Sequence, residues 1–199
     1  MDADHAKEQL SGEEHELAAS LRNEIPFPLA AVAADAAHRT AVALPKAQAD
    51  VGLGAWHEME KVLIRRHPDW HVTLVPPVTG LPAMSFAQHD DTLDANSLEK
   101  LAVVSWALER WGVRDIVLIG HHEGKSRSAL ALSQRRIAKV EQWLFNHRVS
   151  DESHDGSETT RISVRQDTRI QADTVEIVLP AIPDATLPRA NSRTNASKN

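Results

Sequence analysis

Two short stretches carry the residue types most suited to binding chemistry. Asp115-Ile116-Val117-Leu118-Ile119-Gly120-His121-His122-Glu123 reads as a buried strand running into a polar loop that ends in an acid. Leu132-Ser133-Gln134-Arg135-Arg136 reads as helix with a basic pair. A strand–loop–helix unit brings Glu123 and Arg136 to the same end. One carboxylate and one guanidinium can grip a ligand that carries both an amine and a carboxylate. They can also pair with each other, at little gain if exposed. Arg135 is expected to face solvent.

Other constellations fail on spacing. His15-Glu16 and His57-Glu58 each open a His-Glu-x-x-His pattern, but the closing positions are Ala19 and Lys61. A zinc protease needs its second imidazole there. Adjacent His121 and His122 point to opposite sides of an extended segment, so they do not converge on an ion. His121 is instead expected to make a structural hydrogen bond at the turn. No Gly-x-Ser-x-Gly elbow surrounds Ser126, Ser128 or Ser133. For Ser133 a local backbone hydrogen bond is expected. No glycine-rich loop is built to cradle phosphate, and no nucleophile–base–orienter set assembles. The chain therefore reads as non-catalytic, with no metal and no cofactor.

Bulk properties narrow the class further. A chain of 199 residues suits one domain or one domain with an elaboration. A net charge of −6 without a basic block argues against a nucleic-acid binder. Cysteine is absent, which removes thiolate catalysis, disulfides and cysteine zinc sites. No segment is apolar enough to span a bilayer. The acidic start Met1-Asp2-Ala3-Asp4 lacks the basic and apolar regions of an export signal.

The elements that must position Glu123 and Arg136 follow from periodicity. Residues 1–23 predict a helix, with Ser11 and Glu14 at capping-box spacing and Pro26 and Pro28 beyond its end. The Ala-rich run 29–38 predicts a second short helix. Residues 40–44 predict a strand, 54–66 a helix with Trp56, Met59 and Leu63 on one face, and 71–75 a strand. A strand is expected over 81–87, then a helix capped by Asn96 with apolar Leu98, Leu101, Val104, Leu108 and Trp111, stopped at Gly112. The β-branched run 115–119 predicts a strand covered on both faces. Helix 130–147 and alternating strands 161–166 and 174–179 complete the order. The segment 150–159 reads as an exposed loop, and the tail from Pro180 as disordered.

The chain thus divides into a helical region 1–39, a β-α-β extension 40–80, an α+β unit 81–180 and a tail 181–199. The fold class is α+β: a β-α-β-α-β-β mixed sheet with helices on one face, after a mostly helical N-terminal region. Both 40–75 and 84–119 read strand, polar loop, helix, strand. That weak echo fits coincidence as well as a degenerate half-unit. Trp56, Trp106, Trp111 and Trp143 fall on helices, where packing is the expected role.

Residues 81–180 resemble an OmpA-like domain, the peptidoglycan-binding module of outer-membrane porins, Pal lipoproteins and flagellar stator proteins. Phe86 with Asp90-Asp91 and Leu93 is similar to the opening strand and loop. Ile119-Gly120-His121-His122-Glu123 resembles the Gly-His-Thr-Asp turn, Leu132-Ser133-Gln134-Arg135-Arg136 the Leu-Ser-x-x-Arg helix, and Thr174-Val175-Glu176-Ile177 the closing strand. The resemblance implies that the chain binds the diaminopimelate of a peptidoglycan stem peptide. Glu123 would meet the amine and Arg136 the carboxylate. Ser133, Phe86 and Asp90 would lie around the pocket, the backbone near Phe86–Asp90 closing it. It implies a periplasmic or outer-membrane-associated place, with peptidoglycan or another envelope protein as partner, or a second copy in a homodimer. Four departures bear on the pocket or its surroundings. The acid is Glu123, one methylene longer than Asp; the amide before Leu-Ser is replaced by Ala129; the turn-to-helix loop is short; and Asp173 stands where the closing strand would have arginine. The rival reading is an assembly module on the same fold with a dead pocket.

Overall fold

The computed structural model describes residues 3–46, 51–122, 126–147, 161–167 and 173–180. Helix α1 (Ala3–Glu24) leads into strands β1 (Leu29–Asp35) and β2 (Thr40–Pro45), helix α2 (Leu53–Arg66) and strand β3 (His71–Leu74). Then come β4 (Met84–Ser85), α3 (Ala95–Arg110), β5 (Asp115–His121), α4 (Arg127–His147), β6 (Arg161–Asp167) and β7 (Thr174–Val178). The architecture is α+β, with two mixed sheets. One has the order β1-β2-β3 and the other β4-β7-β5-β6.

The expected β-α-β-α-β-β order is present after residue 81. Its central strand β5 runs parallel to β6 and antiparallel to β7, and β7 in turn pairs antiparallel with β4. Ile116 and Leu118 of β5 join Val175 and Ile177 of β7 under Leu101, Val104 and Leu108 of α3 and Ile137, Val140 and Leu144 of α4. Val117, on the opposite face of β5, is also buried. In β6 the pattern divides, since Ile162 packs on the core while Val164 is exposed.

The N-terminal region differs from expectation. Residues 29–35 form a strand, not a helix, paired antiparallel with β2 from Asp35↔Thr40 to Leu29↔Pro45. Alanine favours helix locally, so hairpin pairing overrides propensity here. Arg39 takes φ 52 in the connecting turn. Ser11 is not a cap either, because α1 already begins at Ala3. Strand β4 is only two residues long rather than the expected 81–87. The α3 cap is Asp94, whose carboxylate accepts from Ser97 N at 2.7 Å, not Asn96.

In the first unit β2 and β3 lie side by side and parallel. In the second, β4 and β5 are separated by β7. Helix α3 serves both cores: Trp106 and Ala107 pack with Leu17, Leu21, Trp56 and Leu63, while Leu101, Val104 and Leu108 face the other sheet.

Candidate functional site

The site lies where α4 crosses the loop after β4 and the start of β7. Phe86 is buried, and the chain then turns sharply, with Asp90 N donating to Ala87 O at 3.1 Å and His89 at φ 62. That turn aims two main-chain carbonyls at α4. Arg136 Nε donates to Asp90 O at 2.7 Å, and its Nη2 donates to Ala87 O at 2.9 Å. The guanidinium lies 5.3 Å from the centre of the Phe86 ring, a cation–π distance. Its Nη1 donates to the carboxylate of Asp173.

Arg136 is 2% exposed. A buried guanidinium needs a counter-charge as well as acceptors. The two carbonyls supply acceptors only, and Asp173 supplies the charge. The Asp173 side chain is 34% exposed and so forms the solvent side of the pair.

The neighbouring acids are engaged elsewhere. Asp90 Oδ1 accepts from Thr92 N at 2.9 Å and Thr92 Oγ1 at 2.8 Å. Those bonds hold its carboxyl below the ordinary range, with the Thr92 hydroxyl the largest contributor. Asp90 therefore reaches Arg136 through its main chain, not its side chain. Arg135 is exposed as expected, and its Nε donates to Asp91 at 2.7 Å. Consecutive arginines thus tie the 87–91 loop to α4.

Of the residues singled out from sequence, the structure brings together Arg136, Phe86 and the Asp90 main chain. Glu123 lies outside the described residues. Ser133 is buried beside Gly120, and among the described residues its Oγ has no hydrogen-bond partner, so the expected backbone bond is absent there. A Cβ at Gly120 would come within 2.5 Å of Ser133 Oγ and 2.6 Å of Ile137 Cδ1, so only glycine lets α4 seat this closely on β5. His121 Nε2 meets Glu176 at 3.1 Å across β5 and β7, a contact to the neighbouring strand where one within the turn was expected. Among the described residues no group of three or more His, Asp or Glu could hold a metal ion.

Sequence reasoning identified Asp173 as a departure but did not pair it with Arg136. The signal was there: a buried cation needs an acid, and Asp173 stands just before the closing strand.

No family model matches this chain, and no curated protein matches it either. Among solved structures, it is similar to the OmpA-like domain of FopA1 from Francisella tularensis subsp. tularensis SCHU S4. The identity is 15%, and the match covers 48% of this chain and 68% of that one, with a TM-score of 0.37. That is a weak structural likeness. No helix among the described residues is long and apolar enough to cross a membrane.

Proposed function

We propose that residues 81–180 act as a non-catalytic OmpA-like module that holds the diaminopimelate of a peptidoglycan stem peptide in the periplasm or at the outer membrane. Support comes from the ordered motifs and from the β4-β7-β5-β6 sheet that carries them. The observation that carries the reading is the Arg136 site. A guanidinium oriented by two carbonyls and an aromatic face already holds a carboxylate. Such a site is chemically matched to the carboxylate of an amino acid centre. In this reading Arg136 anchors that carboxylate and Glu123 receives the amine.

One observation favours the second reading, an assembly module with a dead pocket: the guanidinium is buried and already partnered within the chain. Co-sedimentation with purified sacculi separates the two. The stem-peptide reading expects the chain to pellet with sacculi and to be released by excess diaminopimelate-containing muropeptide. A folded chain that stays in the supernatant overturns it.

A further inference from the structure

We propose that Asp173 is a built-in competitor for the Arg136 site, an internal carboxylate that a ligand carboxylate must displace and that sets the affinity of the site. This rests on the stem-peptide reading.

Three observations place Asp173 in that role. First, it is held by the sheet. Its carbonyl accepts from Phe86 N at 2.9 Å, next to the Ser85↔Thr174 pairing of β4 with β7. Asp173 takes φ 74, a left-handed conformation that Asp and Asn adopt more readily than most residues. Second, its carboxylate supplies the charge that the carbonyls of Ala87 and Asp90 cannot, while the Asp90 carboxylate is turned to Thr92. Third, the side chain of Asp173 is part-exposed while Arg136 is buried, so of the two it is the one that solvent reaches. A ligand carboxylate approaching from solvent seeks the position that Asp173 holds.

The two carboxylates are then alternatives. The internal one has the advantage of a high effective concentration, because the fold fixes it beside its partner. The apparent dissociation constant for a ligand rises in proportion as the open fraction of the site falls. Removing the charge of Asp173 while keeping its backbone should therefore tighten binding. Asp173→Asn retains shape and tolerance of positive φ. Asp173→Gly accepts φ 74 without strain and serves as an independent second variant.

The test is calorimetric titration of the full chain with diaminopimelate-containing muropeptide, with folding checked by circular dichroism. Wild type, D173N, D173G and the double variant D173N/R136K are compared. The expected result is binding on the order of tenfold tighter in D173N and D173G than in wild type, a site roughly one-tenth open when Asp173 is present. The gain should vanish in D173N/R136K. If wild type binds and both single variants bind equally or more weakly, the competitor role is wrong and the stem-peptide reading stands. A gain that survives R136K also overturns it, because the ligand is then not at Arg136. If none of the folded proteins binds, the stem-peptide reading falls and takes the competitor role with it.

Discussion

Glu60 of α2 and Arg110 of α3 form a buried ion pair that fastens the first sheet's helix to the second sheet's helix. Arg110 donates through Nε at 3.0 Å and Nη2 at 2.8 Å, and the same carboxylate accepts from Trp106 Nε1 and Leu74 N, each at 2.7 Å. Glu60 is 3% exposed, yet four donors satisfy it. Burial lowers the pKa of Arg110, but hydrogen bonds and charge from Glu60 and Glu109 together outweigh it and raise it. The two units should accordingly unfold together. Glu60→Gln leaves Arg110 only the exposed carboxylate of Glu109 as counter-charge and should cost roughly 1–3 kcal/mol. Urea unfolding followed by tryptophan fluorescence and by circular dichroism measures this. Coincident single transitions in wild type are expected, with a lower midpoint in the variant; two separated wild-type transitions would contradict a shared body.

Gly120 should not tolerate a side chain. Ala at this position drives a methyl into Ser133 and Ile137, and overpacking of this kind costs roughly 1–3 kcal/mol. Gly120→Ala should lower the thermal midpoint, while Gly112→Ala, where no neighbour lies within 4 Å but φ is +62, reports backbone strain alone.

Ser133 presents the converse case. Its hydroxyl is buried without a partner, and an unpaired buried hydroxyl is unfavourable. Ser133→Ala should leave stability unchanged or raise it by up to about 1 kcal/mol. A clear loss of stability in chemical denaturation would mean that the hydroxyl is satisfied in solution.

The α1–α2 contact carries an acid-sensitive component. Burial raises the pKa of Glu24, but hydrogen bonds from Ser20, Arg66 and His67 together outweigh it, so the carboxyl sits below its ordinary range. A depressed carboxyl pKa means that the unfolded chain binds more protons, so stability rises with pH through that window. The contribution is present above the ordinary carboxylate pKa and is lost as pH falls through the lowered folded value. Glu24→Gln should flatten the acid limb of a stability–pH curve, and an unaltered acid limb would count against the pairing.

Legibility in the sequence followed the strength of local pattern. The apolar run at 115–119 and the helical faces around Leu101 and Leu144 are dictated locally, and β5, α3 and α4 formed there. The Ala-rich stretch 29–35 is biased locally towards helix, and its strand depends on β2, a partner set by chain reversal at residues 36–39. Glu60 shares the buried face of α2 with Trp56 and Leu63, but its pairing is not legible locally because its four donors come from residues 14 to 50 positions away. Asp173 is 37 positions from Arg136, so no local pattern in the sequence reveals the contact. Phe86, Arg136 and the Asp90 backbone were placed by motif order, and that order does reflect a shared location.

Calorimetric titration of the wild-type chain and of Arg136→Lys with diaminopimelate-containing muropeptide tests most directly the proposal that the Arg136 site receives the carboxylate of a stem peptide. Lysine keeps the charge but loses the planar fork that reaches two carbonyls and a carboxylate together. Saturable binding by wild type that is lost in the folded lysine variant is the predicted result. No binding by wild type at millimolar ligand, or binding equal in the two proteins, would contradict it.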